Sequence, residues 1–165
     1  MEKYSFESIG LSLIFPYYSE PILDSMIHLI PCLITGGGAL IKSSDYNHFL
    51  GSYLERKASE VFGVKGLVTD LFIHPQNLSS LAEFRSIKKL IYSGSQSSAK
   101  HIFETLVAKR FIDCNLFFGG QDAAYVDASA DLKQAARAIC QISFYNNGQS
   151  FDCVKRLYVH QAIQE

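Results

Sequence analysis

A chain of 165 residues that is 48% apolar, 13% aromatic and 19% charged has the composition of a folded globular domain, which excludes an intrinsically disordered one. Its 15 basic and 16 acidic residues give a formal net charge of −1, and the cations stand singly or in short pairs such as Arg56-Lys57 and Lys155-Arg156. Nucleic-acid binding needs clustered cations, so no nucleic-acid partner is expected. The greasiest stretch, Met26 to Thr35, is broken by His28 and Pro31, too short for a membrane span. The chain opens Met1-Glu2-Lys3-Tyr4 without a signal-peptide core, so the expected compartment is the cytoplasm. Cys32, Cys114, Cys140 and Cys153 show neither CxxC spacing nor histidines at zinc-ligand intervals, which predicts reduced thiols and no metal site.

In chain order, the apolar run Ile9 to Phe15 predicts a buried strand. Ile22, Met26, Leu29 and Leu33 then recur at helical spacing, predicting a helix over Pro21 to Thr35, stopped by Gly36-Gly37-Gly38. A short strand at Ala39 to Lys42, a helix over Tyr46 to Phe62 closed by Gly63, and a strand within Val64 to Phe72 come next. Further strands are expected at Ile87 to Tyr92 and Phe111 to Phe118, with helices over Ser97 to Lys109 and Ala130 to Tyr145. Asp131 falls in the first turn of the latter, where a carboxylate suits the helix dipole. Such alternation predicts an α/β fold, Rossmann-like, with a mostly parallel sheet and helices on both faces.

Two stretches are candidates for ligand chemistry on their own. Tyr92-Ser93-Gly94-Ser95 follows a predicted strand and opens a helix, so its backbone N–H groups could meet an anion. Lys42 ends a strand with Asp45 three residues later, at the strand end where open α/β sheets bind ligands. An equally good reading of Asp45 is an N-cap for the next helix. Gly36-Gly37-Gly38 follows a helix and precedes a strand, the reverse of the order in a dinucleotide fingerprint.

The C-terminal third supplies context. Gly119-Gly120 leads to Ala130-Asp131-Leu132, then to Asn147-Gly148-Gln149-Ser150, then to Arg156-Leu157-Tyr158-Val159. Together these resemble the aldehyde dehydrogenase family, with its Glu-Leu-Gly-Gly stretch, "ADL" helix, N-x-G-Q-x-C nucleophile turn and Arg-led strand. Earlier blocks fall in the family's order too. Tyr92-Ser93-Gly94-Ser95 resembles its Phe-Thr-Gly-Ser coenzyme turn, Gly36 through Asp45 its strand ending Lys-Pro-Ser-Glu, and Phe15-Pro16-Tyr17-Tyr18 its Pro-Trp-Asn-Phe-Pro segment. The resemblance runs from about Glu7 to the end.

It implies a coenzyme-binding portion over 1–120 and the start of a catalytic portion over 121–165, packed as one compact unit. It also implies a bound coenzyme, NAD or NADP, with Lys42, Asp45, Gly94 and Ser95 as its contacts. Ser43 replaces a proline and is expected to loosen the loop after Lys42, while Ala99 replaces a glycine and is expected to crowd the helix start. Family members attack the aldehyde with a cysteine thiolate and release the acyl group with a glutamate-activated water. Here the nucleophile position is Phe151, the base position Phe117, and the oxyanion asparagine falls at or near Tyr18. A benzyl group has no lone pair to offer, so no catalytic residue is expected. Cys153, two residues beyond, is the one outside candidate for a displaced nucleophile. The two phenylalanines are expected to fill the former site as core. The chain stops short of the family's remaining catalytic and oligomerisation segments. Expected partners are therefore a dinucleotide, another copy of the chain, or a full-length relative to which it would be a regulatory subunit. A working dehydrogenase, through Cys153 or with a partner chain supplying the rest, is the rival expectation.

Overall fold

The computed structural model describes residues 5–164; Met1-Glu2-Lys3-Tyr4, read above for a leader, and Glu165 lie outside the described residues. Two compact units are present, Met1–Phe117 and Phe118–Glu165.

The first unit opens with β1 (Leu11–Phe15), α1 (Pro21–Ile34), β2 (Gly38–Ile41), α2 (Phe49–Phe62) and β3 (Val68–Asp70). A 3-10 stretch (Pro75–Glu83), β4 (Ile87–Gly94), α3 (Gln96–Ile102), a π-helical turn (Phe103–Val107), α4 (Ala108–Arg110) and β5 (Asp113–Phe118) follow. The sheet order is β3-β2-β1-β4-β5, and the β1–β2, β1–β4 and β2–β3 pairs are parallel. Central β1 sets Leu13 between Leu40 of β2 and Leu90 of β4.

Strand side chains point alternately to opposite faces, and β1 shows both faces covered. Leu13 and Phe15 pack with Leu90, Tyr92, Ala99, Ile102 and Leu106. Ile14, between them, packs with Leu29 of α1, Leu50 and Leu54 of α2, and Ile91. Helices therefore lie on both faces of the sheet, as the alternation of elements predicts. A fully buried side chain such as Ile14 contributes about 1.5–3 kcal/mol through burial.

Several ends differ from expectation for local reasons. The strand within Val64–Phe72 is confined to Val68–Asp70, because Gly63 and Gly66 adopt positive φ and turn the chain first. The strand expected from Phe111 begins at Asp113, since Phe111 itself is the left-handed residue ending α4, with φ 52°. The helix of the Ser97–Lys109 region spans Gln96 to Arg110 but includes the π turn. The 3-10 stretch Pro75–Glu83 has no long apolar period and was not expected from the sequence.

The second unit holds β6 (Asp122–Val126), α5 (Leu132–Phe144), a 3-10 turn (Tyr145–Gly148), β7 (Val154–Val159) and a last 3-10 turn (Gln161–Ile163). β6 and β7 form a parallel pair of their own, and Arg156 donates from Nε to the Gln121 carbonyl at 2.9 Å. Asp131 precedes α5 rather than lying in its first turn. Its Oδ1 accepts from the backbone N–H groups of Lys133 and Gln134, both at 3.0 Å, an N-cap with a carboxylate at the positive helix end. Among the described residues no helix is long and apolar enough to cross a membrane, and all four cysteines are free thiols.

Candidate functional site

The sheet order reverses direction between β1 and β4. In doubly wound sheets, the strand ends at such a switch point diverge and leave a crevice. A cleft of about 550 Å3 opens there, lined by the end of β1, the loop after β2, the β4–α3 turn and the first turns of α3. Lys42, Asp45, Gly94 and Ser95, far apart in the chain, all line it, as do Tyr18 and Ser43.

Lys42 leaves the end of β2 with its side chain only 12% exposed, and its Nζ lies 2.9 Å from Asp45 Oδ1. The amine also donates to the Ser43 carbonyl at 2.9 Å. The hydrogen bond and charge of Lys42 hold the Asp45 carboxyl below the usual carboxylate range. Asp45 is therefore a partner of Lys42 and not a helix cap; α2 begins later, after His48. Ser43 does not loosen this loop. It is buried, and its hydroxyl accepts from the Gly51 amide at 3.0 Å, which ties the loop to the first turn of α2.

On the other wall, Ser95 is the N-cap of α3, its Oγ accepting from the Ser98 amide at 3.3 Å. Tyr92 folds back over this turn, and its hydroxyl donates to the Ser95 carbonyl at 3.2 Å. That ring explains Gly94, because a Cβ there would sit 2.3 Å from the Tyr92 hydroxyl. Ala99 is almost fully buried in the core beside Leu13 and Ile102, so its methyl is packed and does not crowd the turn.

A half-buried polar cluster reaching Ser93 in the cleft wall was not read from the sequence. Asp24 of α1 accepts from the Tyr17 amide at 2.8 Å and from the Ser93 hydroxyl at 3.1 Å. His28, one turn on, places Nε2 3.7 Å from Asp24 Oδ1. Burial pushes the Asp24 carboxyl up, but His28, the Tyr17 amide and the Ser93 hydroxyl outweigh it and hold the group below its ordinary value. The cluster ties the loop after β1, helix α1 and the end of β4 together. Its one sequence signal was Asp24 and His28 four apart on a largely apolar helix.

Phe117 stacks on His28, with centroids 5.4 Å apart and planes at 20°. It is 51% exposed and Phe151 is 50% exposed, so the expectation that both rings are core is corrected: each keeps about half its surface in water. Phe117 lies near the end of edge strand β5, whose outer positions are largely exposed. Tyr18 lies against Tyr17 and Tyr46, at ring distances of 5.0 and 5.8 Å. Cys153 is fully buried, with its thiol donating to the Tyr145 carbonyl at 3.4 Å. The turn before it carries Asn146 and Asn147 in the left-handed region, at φ 48° and 57°.

The family model of the aldehyde dehydrogenases matches residues 4–165. Among similar proteins are an N-succinylglutamate 5-semialdehyde dehydrogenase of Photorhabdus laumondii, 29% identical over 153 residues, and aminoaldehyde dehydrogenase 1 of Pisum sativum, 28% identical over 160 residues. The alignments take in 91% and 95% of this chain but 30% and 31% of those proteins. The chain thus spans about a third of the length of the curated relatives it matches. The structure of succinic semialdehyde dehydrogenase from Streptococcus pyogenes, solved in complex with NADP+, superimposes with a TM-score of 0.87 at 23% identity. That match covers 98% of this chain and 37% of the other.

Proposed function

The chain belongs to the aldehyde dehydrogenase family, and from that premise we propose that it is a dinucleotide-binding domain, for NAD or NADP, without aldehyde oxidation of its own. The observation that carries this reading is the meeting of Lys42, Asp45, Gly94 and Ser95 in one cleft at the switch point of the sheet. Its volume, about 550 Å3, lies within the range of sites that enclose small molecules and cofactors. The donors suit the ligand. Lys42 and Asp45 would hold ribose hydroxyls, and the serine-rich β4–α3 turn would face the pyrophosphate with hydroxyl and backbone N–H groups. A bound oxidised dinucleotide supplies a hydride acceptor, and the similar Streptococcus enzyme was solved with NADP+.

The chemical half of the family's reaction has no donor set here. Phe151 and Phe117 stand at the nucleophile and base positions, and an aromatic ring can neither attack a carbonyl nor take a proton. Cys153 could take over only by unpacking, since its sulfur has no solvent contact. An interaction role, with a full-length relative as the partner, follows from the same loss.

Titration of NADH fluorescence tests the binding reading. Saturable enhancement is expected, with Lys42→Ala weakening it by about tenfold or more, the loss typical of a charged hydrogen bond. Ser95→Ala should weaken it less. No signal from NADH or NADPH would end the reading. Steady NADH formation from aldehydes, abolished in Cys153→Ala, would instead restore the enzyme.

A further inference from the structure

Four phenyl or phenol rings are among the described residues lining the switch-point cleft, Phe15, Tyr18, Tyr46 and Tyr92. Phe15 and Tyr92 are each 7% exposed and belong to the core, whereas Tyr18 is 38% and Tyr46 89% exposed. The last two stand in one ladder of rings. Tyr17 and Tyr18, in the loop after β1, have centroids 5.0 Å apart and planes at 49°. Tyr46, in the loop after β2, follows Tyr18 at 5.8 Å and 48°. Tilted contacts at such separations are a favourable ring geometry. The ladder is also anchored. Asn47 donates from Nδ2 to the Tyr18 carbonyl at 3.0 Å, which joins the two loops. The Tyr46 amide donates to Ser44 Oγ at 3.3 Å, and Asp45, the residue before it, is fixed on Lys42 at 2.9 Å. A ring held in this way with its apolar faces in water is stabilised by any planar group that covers one of them.

We propose that Tyr46, backed by Tyr18, is the stacking platform for the base of a bound nucleotide. The inference rests on the dinucleotide reading and adds to it the residue that receives the base. Two features select a nucleobase as the planar group. Lys42 and Asp45 are the pair assigned to ribose hydroxyls, and Tyr46 is the next residue, about 3.8 Å along the chain between Cα atoms. A base lies one glycosidic bond from its ribose, so a ribose on Asp45 carries its base to the Tyr46 ring. The β4–α3 side of the cleft, with Ser95, Ser97 and Ser98, offers hydroxyls suited to phosphate oxygens and no ring on which a base could stack. Stacking on an aromatic side chain tolerates any base, because each presents a π face. Adenine and nicotinamide are therefore the two sources of the same planar chemistry, and the test separates them.

The chain contains no tryptophan, so Tyr46→Trp in the full chain installs a single indole as reporter. Titration of this variant with NAD should quench the indole emission saturably. Quenching by AMP alone would assign the platform to adenine, and quenching by nicotinamide mononucleotide alone would assign it to nicotinamide; either supports the proposal. Tyr46→Ala should weaken NADH binding by about tenfold, the loss of one stacked base. Tyr46→Phe should bind as the wild type does, since the ring and not the hydroxyl is required. Circular dichroism and melting temperature should hold in all three variants because the side chain is exposed. NADH binding that is unchanged in Tyr46→Ala would overturn the platform while leaving dinucleotide binding intact. So would a Tyr46→Trp protein that binds NADH but whose indole responds to none of the nucleotides. Absence of NADH binding to the wild-type chain would end both readings.

Discussion

In the first unit, β1 sends Leu13 and Phe15 to one core and Ile14 to another, all three buried. In the second, no residue of α5 is buried, and Tyr125, Leu157 and Tyr158 of the β6–β7 pair are more than half exposed. Beside its strand ladder and the buried Val126 and Cys153, the second unit relies on polar devices: the Asp131 cap, the Arg156–Gln121 bond and the Cys153 thiol on the Tyr145 carbonyl. A two-stranded sheet alone is at best marginally stable, and β6–β7 has α5 as its one helix. The difference teaches that a short parallel sheet becomes self-sufficient only when both faces are packed. It follows that the cleft belongs to the part of the chain that can support its own geometry.

The largest effect should come from Leu90→Ala in β4, which leaves a cavity between two layers and is expected to cost about 2–5 kcal/mol. Leu157→Ala in β7 should cost less than about 1 kcal/mol. Urea denaturation of both variants checks this, and similar losses would mean that the second unit has a core as tight as the first. Gly94→Ala forces a methyl against the Tyr92 hydroxyl. A loss of about 1–3 kcal/mol, with weaker NADH binding, is expected from thermal melts and fluorescence titration.

Asp24 gives the pH test. Its folded value lies below its ordinary 3.8, so its contribution is complete above that value and drains away as pH falls through the depressed one. Acid unfolding of Asp24→Asn should accordingly show a shallower dependence on pH below about 4 than wild type. Equal slopes would remove Asp24 from the acid response. Phe111, left-handed and 96% exposed, makes the smallest stability prediction: Phe111→Gly should stabilise by about 1 kcal/mol through relief of αL strain. Within the second unit, Ellman's reagent should label exposed Cys140 rapidly and Cys153 only on unfolding; prompt reaction of both thiols would show that the turn before β7 is open.

Much of the first unit was legible in local pattern. The run Leu11-Ser12-Leu13-Ile14-Phe15 is strand-like because nearly every position is apolar, as a strand covered on both faces requires, and Pro21 to Ile34 has the 3.6-residue period of a helix. Cleft residues could be nominated because glycine, serine and a strand-end lysine carry local signals. Asp24 could not. Its partner Ser93 lies 69 residues away, and no local period reports a contact of that range. The π turn and the left-handed Phe111 were also hidden, since neither residue type nor spacing marks them.

The amino-acid sequence alone carried the alternation of strands and helices, the apolar faces, and the rings of Phe117 and Phe151, which the family resemblance sets at the base and nucleophile positions. These follow from side-chain chemistry and from periods of a few residues. It took the tertiary structure to set β1 at the centre with β4 beside it, to bring Lys42 and Ser95 to one cleft and to bury Cys153. Each of these depends on which distant segments pack together, and sheet order is set by the summed burial of the whole unit rather than by any stretch within it.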